Sequence, residues 1–386
     1  MPLPPMSLLD EVVKRIERQG PMSIADYMGL CLTHPTAGYY MSGDPLGAPK
    51  LGSDDLADDL GDDLGGDFVT APEVSQMFGE LIGLWLADCW LRLGSPDPCL
   101  LVELGPGRGT LMADALRACR AVPDFLKAVD IHLVEVSPSL RQAQRRSLAD
   151  QRVTWIDTLA ELPEAPLLLV ANEFFDALPI RQFEKTAAGW AERVVVLAQG
   201  GDTLAFGLAP PSPLNAALIP ESLRDAEPGS LVELCPAGLS LAAYLGEHLA
   251  QQPGAALIID YGPARSASGP TLQALRRHRY HDVLSDPGRA DLTAHIDFQS
   301  LAAAAVAAGA QAYGPVEQGA FLQALGIDTR AAHLSATAPA KAEEIEAARQ
   351  RLVDPAEMGS LFKVLSLTSP PALAPNLDPP AGFAAV

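Results

Sequence analysis

Positive charge is scarce in this sequence. Its 386 residues hold 27 lysines and arginines against 48 aspartates and glutamates, a formal net charge of −21. That balance argues against nucleic-acid binding over a broad basic surface, which needs cations to neutralise phosphates. An acidic surface tolerates, and can steer, a basic protein partner. Cysteine is also sparse. Cys31, Cys89, Cys99, Cys119 and Cys235 form no CxxC pair, so zinc-ribbon and disulfide frameworks fit poorly and free thiols in a reducing compartment fit well. No apolar run reaches the ~18–20 residues that cross a bilayer, and the Ala-rich stretch 301–310 is too short. The first residues lack an apolar signal-peptide core and carry Asp10, Glu11 and Glu17, whereas transit peptides are poor in acids. These absences predict a cytoplasmic protein with no integral membrane segment.

Helical spacing of Leu8, Leu9, Val12, Val13 and Ile16 predicts a helix in 7–32, with Ser23 capping a second segment. Beyond a turn-rich stretch with Tyr39 and Tyr40, the triplet Asp-Asp-Leu recurs at 54–56, 58–60 and 62–64. Like charges repel and glycines interrupt, so 46–66 reads as an acidic surface insertion in an N-terminal helical lid region spanning 1–66. It lacks the spacing of a calcium loop. From residue 73 an apolar helix leads into short hydrophobic runs: CLLVEL at 99–104, IHLVEV at 131–136, VTWI at 153–156, PLLLVAN at 166–172 and AALIIDYG at 255–262. Buried strands alternating with helices predict an α/β fold with a doubly wound parallel sheet over 67–180 and 255–367. FKVLSL at 362–367 reads as a late antiparallel strand at one edge. Residues 181–254 read as an inserted α+β subdomain with a hairpin turning at Gly200-Gly201, and 368–386 as a disordered proline-rich tail.

The strongest local signal is Val102-Glu103-Leu104-Gly105-Pro106-Gly107-Arg108-Gly109-Thr110, which follows a strand and opens a helix. Glycines let the backbone approach a ligand closely. The dinucleotide fingerprint G-x-G-x-x-G would need glycine where Thr110 stands. G-x-G-x-G, with an acid two residues before Gly105, suits S-adenosylmethionine better, since Glu103 favours its cationic groups. Glu135 ends the next strand, where a carboxylate can accept both ribose hydroxyls. Asp157 follows the third strand and can accept from the adenine amino group. An NAD-dependent oxidoreductase remains the alternative, separated only by the glycine spacing.

The fourth strand ends in Asn172-Glu173-Phe174-Phe175-Asp176. Methyl transfer needs a nucleophile aimed along the donor's bond to sulfur, and a guanidinium is a poor, permanently charged one. Glu173 and Asp176 could clamp and orient it, the aromatic pair could exclude water, and Asn172 could hold the loop or accept from a ligand. His278, His281, His295 and Asp297 invite a metal reading, but the spacing is not a zinc pattern. His295, with Asp291 and Asp297, is the better candidate for a substrate-side loop. Tyr39, Tyr40, Thr70, Glu73 and Gln76 could cover the cofactor, or simply pack and cap.

Five segments taken together, GDFVTAPEVSQMFGELIGLW (66–85), LVELGPGRGTLMADALR (101–117), HLVEVSPSLR (132–141), ANEFFDALPIRQF (171–183) and HRYHDVLSDPGRADLTAHIDF (278–298), closely resemble the MidA family. The resemblance runs from about residue 7 to 367. It implies a Rossmann-like, seven-stranded class I methyltransferase fold and S-adenosyl-L-methionine as cofactor. Since the family includes a complex I assembly factor that methylates arginine, it also implies a protein substrate with an exposed arginine, on a respiratory complex I subunit. The family's glycine turn falls on Gly105, Gly107 and Gly109, and its acidic motif after strand four on Glu173 and Asp176. The acidic insertion departs from the family pattern. A non-catalytic assembly chaperone with the same fold is the rival expectation.

Overall fold

A computed structural model describes residues 7–41, 70–201 and 203–383. The acidic insertion, with its calcium alternative, lies outside the described residues. The chain divides into two compact units: one from 1–68, 176–237 and 266–295, the other from 69–175, 238–265 and 296–386.

The second unit holds the seven-stranded sheet: β1 (Cys99–Leu104), β2 (Val129–Val134), β3 (Val153–Ile156), β4 (Leu167–Asn172), β5 (Gly254–Tyr261), β6 (Gln311–Glu317) and β7 (Phe362–Thr368). Their order is β6-β7-β5-β4-β1-β2-β3. The pairings from β5 through β3 are all parallel, while β7 runs antiparallel to both β5 and β6. Every residue of β1 and of β4 is buried. That is why both read as continuous apolar runs: helices cover the two faces of a parallel sheet. The strand order reverses between β1 and β4, and ligands of open α/β sheets bind beside the carboxyl ends of strands at such a reversal. The core packs helix Gln76–Arg92, through Phe78, Ile82 and Trp85, with Leu101, Leu133, Leu168 and Leu257.

Two expectations for this unit need correction. The late strand β7 is antiparallel, but β6 stands outside it at the edge. The sequence hid β6 because its burial is slight and interrupted along its whole length. The residues after β7 are also not a disordered tail as far as Phe383. Trp85 Nε1 donates to Ala381 O at 2.9 Å, and Arg92 donates to Asn376 O and Pro379 O. Ala374, Leu377 and Phe383 are buried, with the Phe383 ring 5.4 Å from that of Phe321. Composition suggested disorder, yet these few apolar residues find a core already formed.

In the first unit, strands Arg181–Thr186, Gly189–Leu197, Leu204–Leu208 and Leu231–Leu234 form an antiparallel sheet joined by the two-residue strand Met22–Ser23. The turn between the second and third of these contains Gly200 and Gly201, both with positive φ. Helices Leu8–Gln19 and Ile24–Thr33 cover it, each started by a serine cap. Val12, Ile24, Tyr27, Met28 and Val195 share one core. Three short strands, Gln273–Arg276, Arg279–His281 and Asp291–Thr293, make a separate sheet.

Candidate functional site

The glycine turn leaves β1 and enters helix Thr110–Ala118 with Gly105, Gly107 and Gly109 at φ of 58°, 53° and 82°. Side chains resist that region of backbone space. At Gly105 space is short as well, since a Cβ would stand 2.7 Å from the Phe174 ring. Gly105 therefore has no room for a side chain unless the Phe174 ring shifts, and Phe174 forms one wall of the turn.

Glu103, two residues earlier, is 3% exposed, and its Oε2 has no hydrogen-bond partner among the described residues. Burial pushes its carboxyl up to about 8. A charge kept out of water without a partner is costly, so the site favours a ligand that brings an N–H or a positive charge. Asn172, at the end of β4, repeats the pattern. Its Nδ2 donates to Glu173 Oε1 at 3.1 Å, whereas its buried Oδ1 accepts nothing from the described residues.

Glu135, just beyond β2, is buried and held. Oε1 accepts from Ser137 N at 2.7 Å, and Oε2 from Gln144 Nε2 at 3.2 Å. Burial raises its pKa, against the lowering effect of those donors and of Arg141. Asp157 differs. Its side chain is 72% exposed and pairs with Arg141 Nη2 at 2.6 Å. Both acids follow successive strands, but of the two only Glu135 is buried.

Glu173 holds φ at 51°, unusual for any residue but glycine. Its Oε1 accepts from Ala71 N, at the start of the short helix Ala71–Val74, at 3.0 Å. Such strain persists where surroundings over-determine it. Phe174 and Phe175 stack edge to face, and Asp260 Oδ2 accepts from Phe175 N at 3.1 Å. Glu73 accepts from Thr110 Oγ1 at 2.7 Å, linking the helix after the glycine turn to the segment expected to cover it.

Asp176 and His295 belong to the first unit. Asp176 is buried, and its carbonyl accepts from Ala294 N. His295 donates its backbone N–H to Thr271 Oγ1 at 2.8 Å, and burial lowers the imidazole pKa against the opposing charge of Glu233. Asp291 accepts from Tyr40 Oη at 2.9 Å. Asp297, expected beside His295 on the substrate side, caps helix Phe298–Ala307 through Ser300. Tyr39 lies in the core of its unit, and Thr70 and Gln76 flank helix starts. His281 stands 3.8 Å from Asp286. Sequence reasoning missed Gln144, Arg141 and Trp155. The one signal was spacing: Leu140, Gln144 and Leu148 fall on one helical face, with a glutamine amid leucines.

A family model described as "Putative S-adenosyl-L-methionine-dependent methyltransferase" matches residues 81–316. The chain is 38% identical over 387 residues to the mitochondrial protein arginine methyltransferase NDUFAF7 of Mus musculus, covering 93% of this chain and 84% of that one. The Homo sapiens protein of the same name is 35% identical over 394 residues, covering 95% and 84%. A crystal structure from Burkholderia thailandensis, bound to S-adenosyl-homocysteine, superposes with a TM-score of 0.81 at 31% identity, covering 97% of this chain and 93% of that one. The relatives' mitochondrial designation overturns the cytoplasmic expectation. That expectation rested on the acids and missing apolar core of the first residues, which do not decide the compartment.

Proposed function

We propose that this chain, which belongs to that family of S-adenosyl-L-methionine-dependent methyltransferases, methylates an arginine side chain of a partner protein. The observation that carries the reading is the end of β1: a glycine turn with positive φ at Gly105, Gly107 and Gly109 and no room for a side chain at Gly105, beside a buried glutamate whose Oε2 lacks a partner among the described residues. Both suit a ligand with close backbone contact and a cationic amino group. S-adenosylmethionine supplies the electrophilic methyl group, on a sulfonium.

The chain's own residues divide the remaining work. Gly105, Gly107 and Gly109 admit the ligand, Glu103 takes its ammonium group and Glu135 its ribose hydroxyls. Asp157, exposed and paired to Arg141, contributes at most a peripheral contact near the adenine, and Asn172 offers Oδ1 as an acceptor. Glu173 receives the substrate guanidinium, with Oε1 pinned by Ala71 and Asn172. A carboxylate held that way orients one nitrogen without losing its own rotamer freedom on binding. That nitrogen must shed a proton as it gains the methyl, because the product guanidinium keeps a single positive charge, and the Glu173 carboxylate that holds it is the base assigned to take that proton. Asp176 and His295 are assigned to the substrate side on the sequence pattern alone.

The relatives are named for protein arginine methylation, and the MidA resemblance supports a respiratory complex I subunit as substrate. Among the described residues no helix is long and apolar enough to cross a membrane. Mass spectrometry of complex I subunits from cells with and without the protein tests this. Arginine methylation should vanish without it and fall at least tenfold with Glu173→Ala (about 1.4 kcal/mol or more). Complex I that assembles normally with Glu173→Ala while methylation is absent would favour the chaperone alternative.

A further inference from the structure

Glu135 and the glycine turn belong to different βα units, and one side chain joins them. Gln144, on helix Pro138–Ser147, is fully buried. Its Nε2 donates to Gly107 O at 2.8 Å and to Glu135 Oε2 at 3.2 Å, while its Oε1 accepts from Trp155 Nε1 at 2.8 Å. The amide can face only this way. Gly107 O and an ionised Glu135 are acceptors and an indole N–H is a donor, so the flipped amide would lose all three bonds. The same helix backs the turn, since a Cβ on Gly109 would lie 3.5 Å from Gln144 Cα.

The geometry points to Gln144 as a positioning residue for the cofactor: it holds the Glu135 carboxylate in register with the glycine turn, and Trp155, from β3, holds Gln144. The inference rests on the reading of Glu135 as the ribose acceptor. It places control of cofactor affinity in two residues argued to act through Glu135. It also explains a glutamine and an indole donor spent inside the fold, where each would cost free energy if unpaired.

A second consequence concerns protonation. Glu135 accepts two hydroxyls only as a carboxylate, and burial opposes that form. Gln144 and the backbone of Ser137 and Val136 favour it, as does the charge of Arg141. Arg141 comes from the same helix as Gln144, and beyond β3 it is paired with the exposed Asp157. Glu103 titrates at the same end of the sheet, but its effect is common to wild type and variants. Removing the Gln144 donor therefore shifts the acid loss of affinity to higher pH.

Calorimetric titration of the full chain with S-adenosyl-homocysteine, at pH values spanning the acid to neutral range, tests the inference with Gln144→Met, Trp155→Phe and Glu135→Gln. Gln144→Met should weaken binding about tenfold to a hundredfold and move the acid midpoint upward. Trp155→Phe should do the same to a smaller extent, and it keeps the test decisive if melting shows that Gln144→Met does not fold. Weaker binding by Gln144→Met with an unmoved midpoint, or unaltered binding, overturns the positioning role. Glu135→Gln is the control for the underlying reading: if it binds as wild type does, the ribose assignment fails, whatever Gln144 does.

Discussion

Two glutamates in the same unit are buried almost equally, Glu80 at 4% exposed and Glu103 at 3%, and their chemistry is opposite. Glu80, on helix Gln76–Arg92, receives Arg330 Nε and Nη2 at 2.6 and 2.8 Å and also pairs with Arg117. Burial pushes its pKa up, but the hydrogen bonds and charges of those arginines outweigh it and leave the carboxyl below its usual range. Among the described residues Glu103 has no such counter-charge, and burial raises its pKa to about 8. Burial that serves the fold comes with its partners built in. Burial without a partner, as at Glu103 Oε2, leaves a bond that a ligand can complete.

The comparison breaks most visibly if Glu103 is neutralised. A carboxyl with a folded pKa above its unfolded value stabilises below the unfolded value and loses that contribution as pH rises towards 8. Glu103→Gln should therefore make the ligand-free protein about 2–4 kcal/mol more stable in alkali, while weakening cofactor binding. Denaturant melts across pH, paired with calorimetry, measure both, and an unchanged alkaline stability would count against an uncompensated charge. Glu80 runs the other way, because a lowered pKa stabilises above the unfolded value and fails as pH falls through the folded one. Glu80→Gln should cost about 2 kcal/mol near neutrality, discounted for the partial exposure of both arginines. The cost should shrink in acid, and cofactor affinity should stay unaltered. The smallest effect separates the strand-end acids from each other. Asp157→Ala should change cofactor affinity less than about fivefold, because its charge is in water and paired; a larger loss in titration would restore it to the ribose-adenine side of the site.

Much of the parallel sheet was legible because its strands are buried on both faces and the glycines and acids proposed to hold the cofactor sit at or beside strand ends. CLLVEL and LLLVAN could scarcely have been anything else, and the glycine turn declared itself by spacing. Legibility failed where an outcome depends on neighbours distant in sequence. Nothing in Val-Thr-Trp-Ile-Asp shows that Asp157 will stand exposed and paired with Arg141. Nothing in Asn-Leu-Asp-Pro-Pro-Ala shows that Trp85 and Arg92 wait for its carbonyls. Gln144 lies among arginines and reads as a solvated helix face until its i, i+4 relation to Leu140 is set beside a partner indole on another strand. The acids of the first unit were visible as motif letters, but antiparallel hairpins carry no strand-end rule from which a role can be derived.

The bond from Trp155 to Gln144 also makes the molecule observable by light. Trp85, Trp90 and Trp190 are sealed in hydrophobic cores and donate to backbone carbonyls. Among the described residues Trp155 is the one indole that donates to a side chain, that of Gln144, with the Arg145 guanidinium 4.8 Å from the centre of its ring. Indole emission responds to polar neighbours, and although Lys185 Nζ also lies 5.2 Å from the Trp190 ring, Trp155 is the native chromophore bonded to Gln144. A change at Gln144 should therefore be visible without any label.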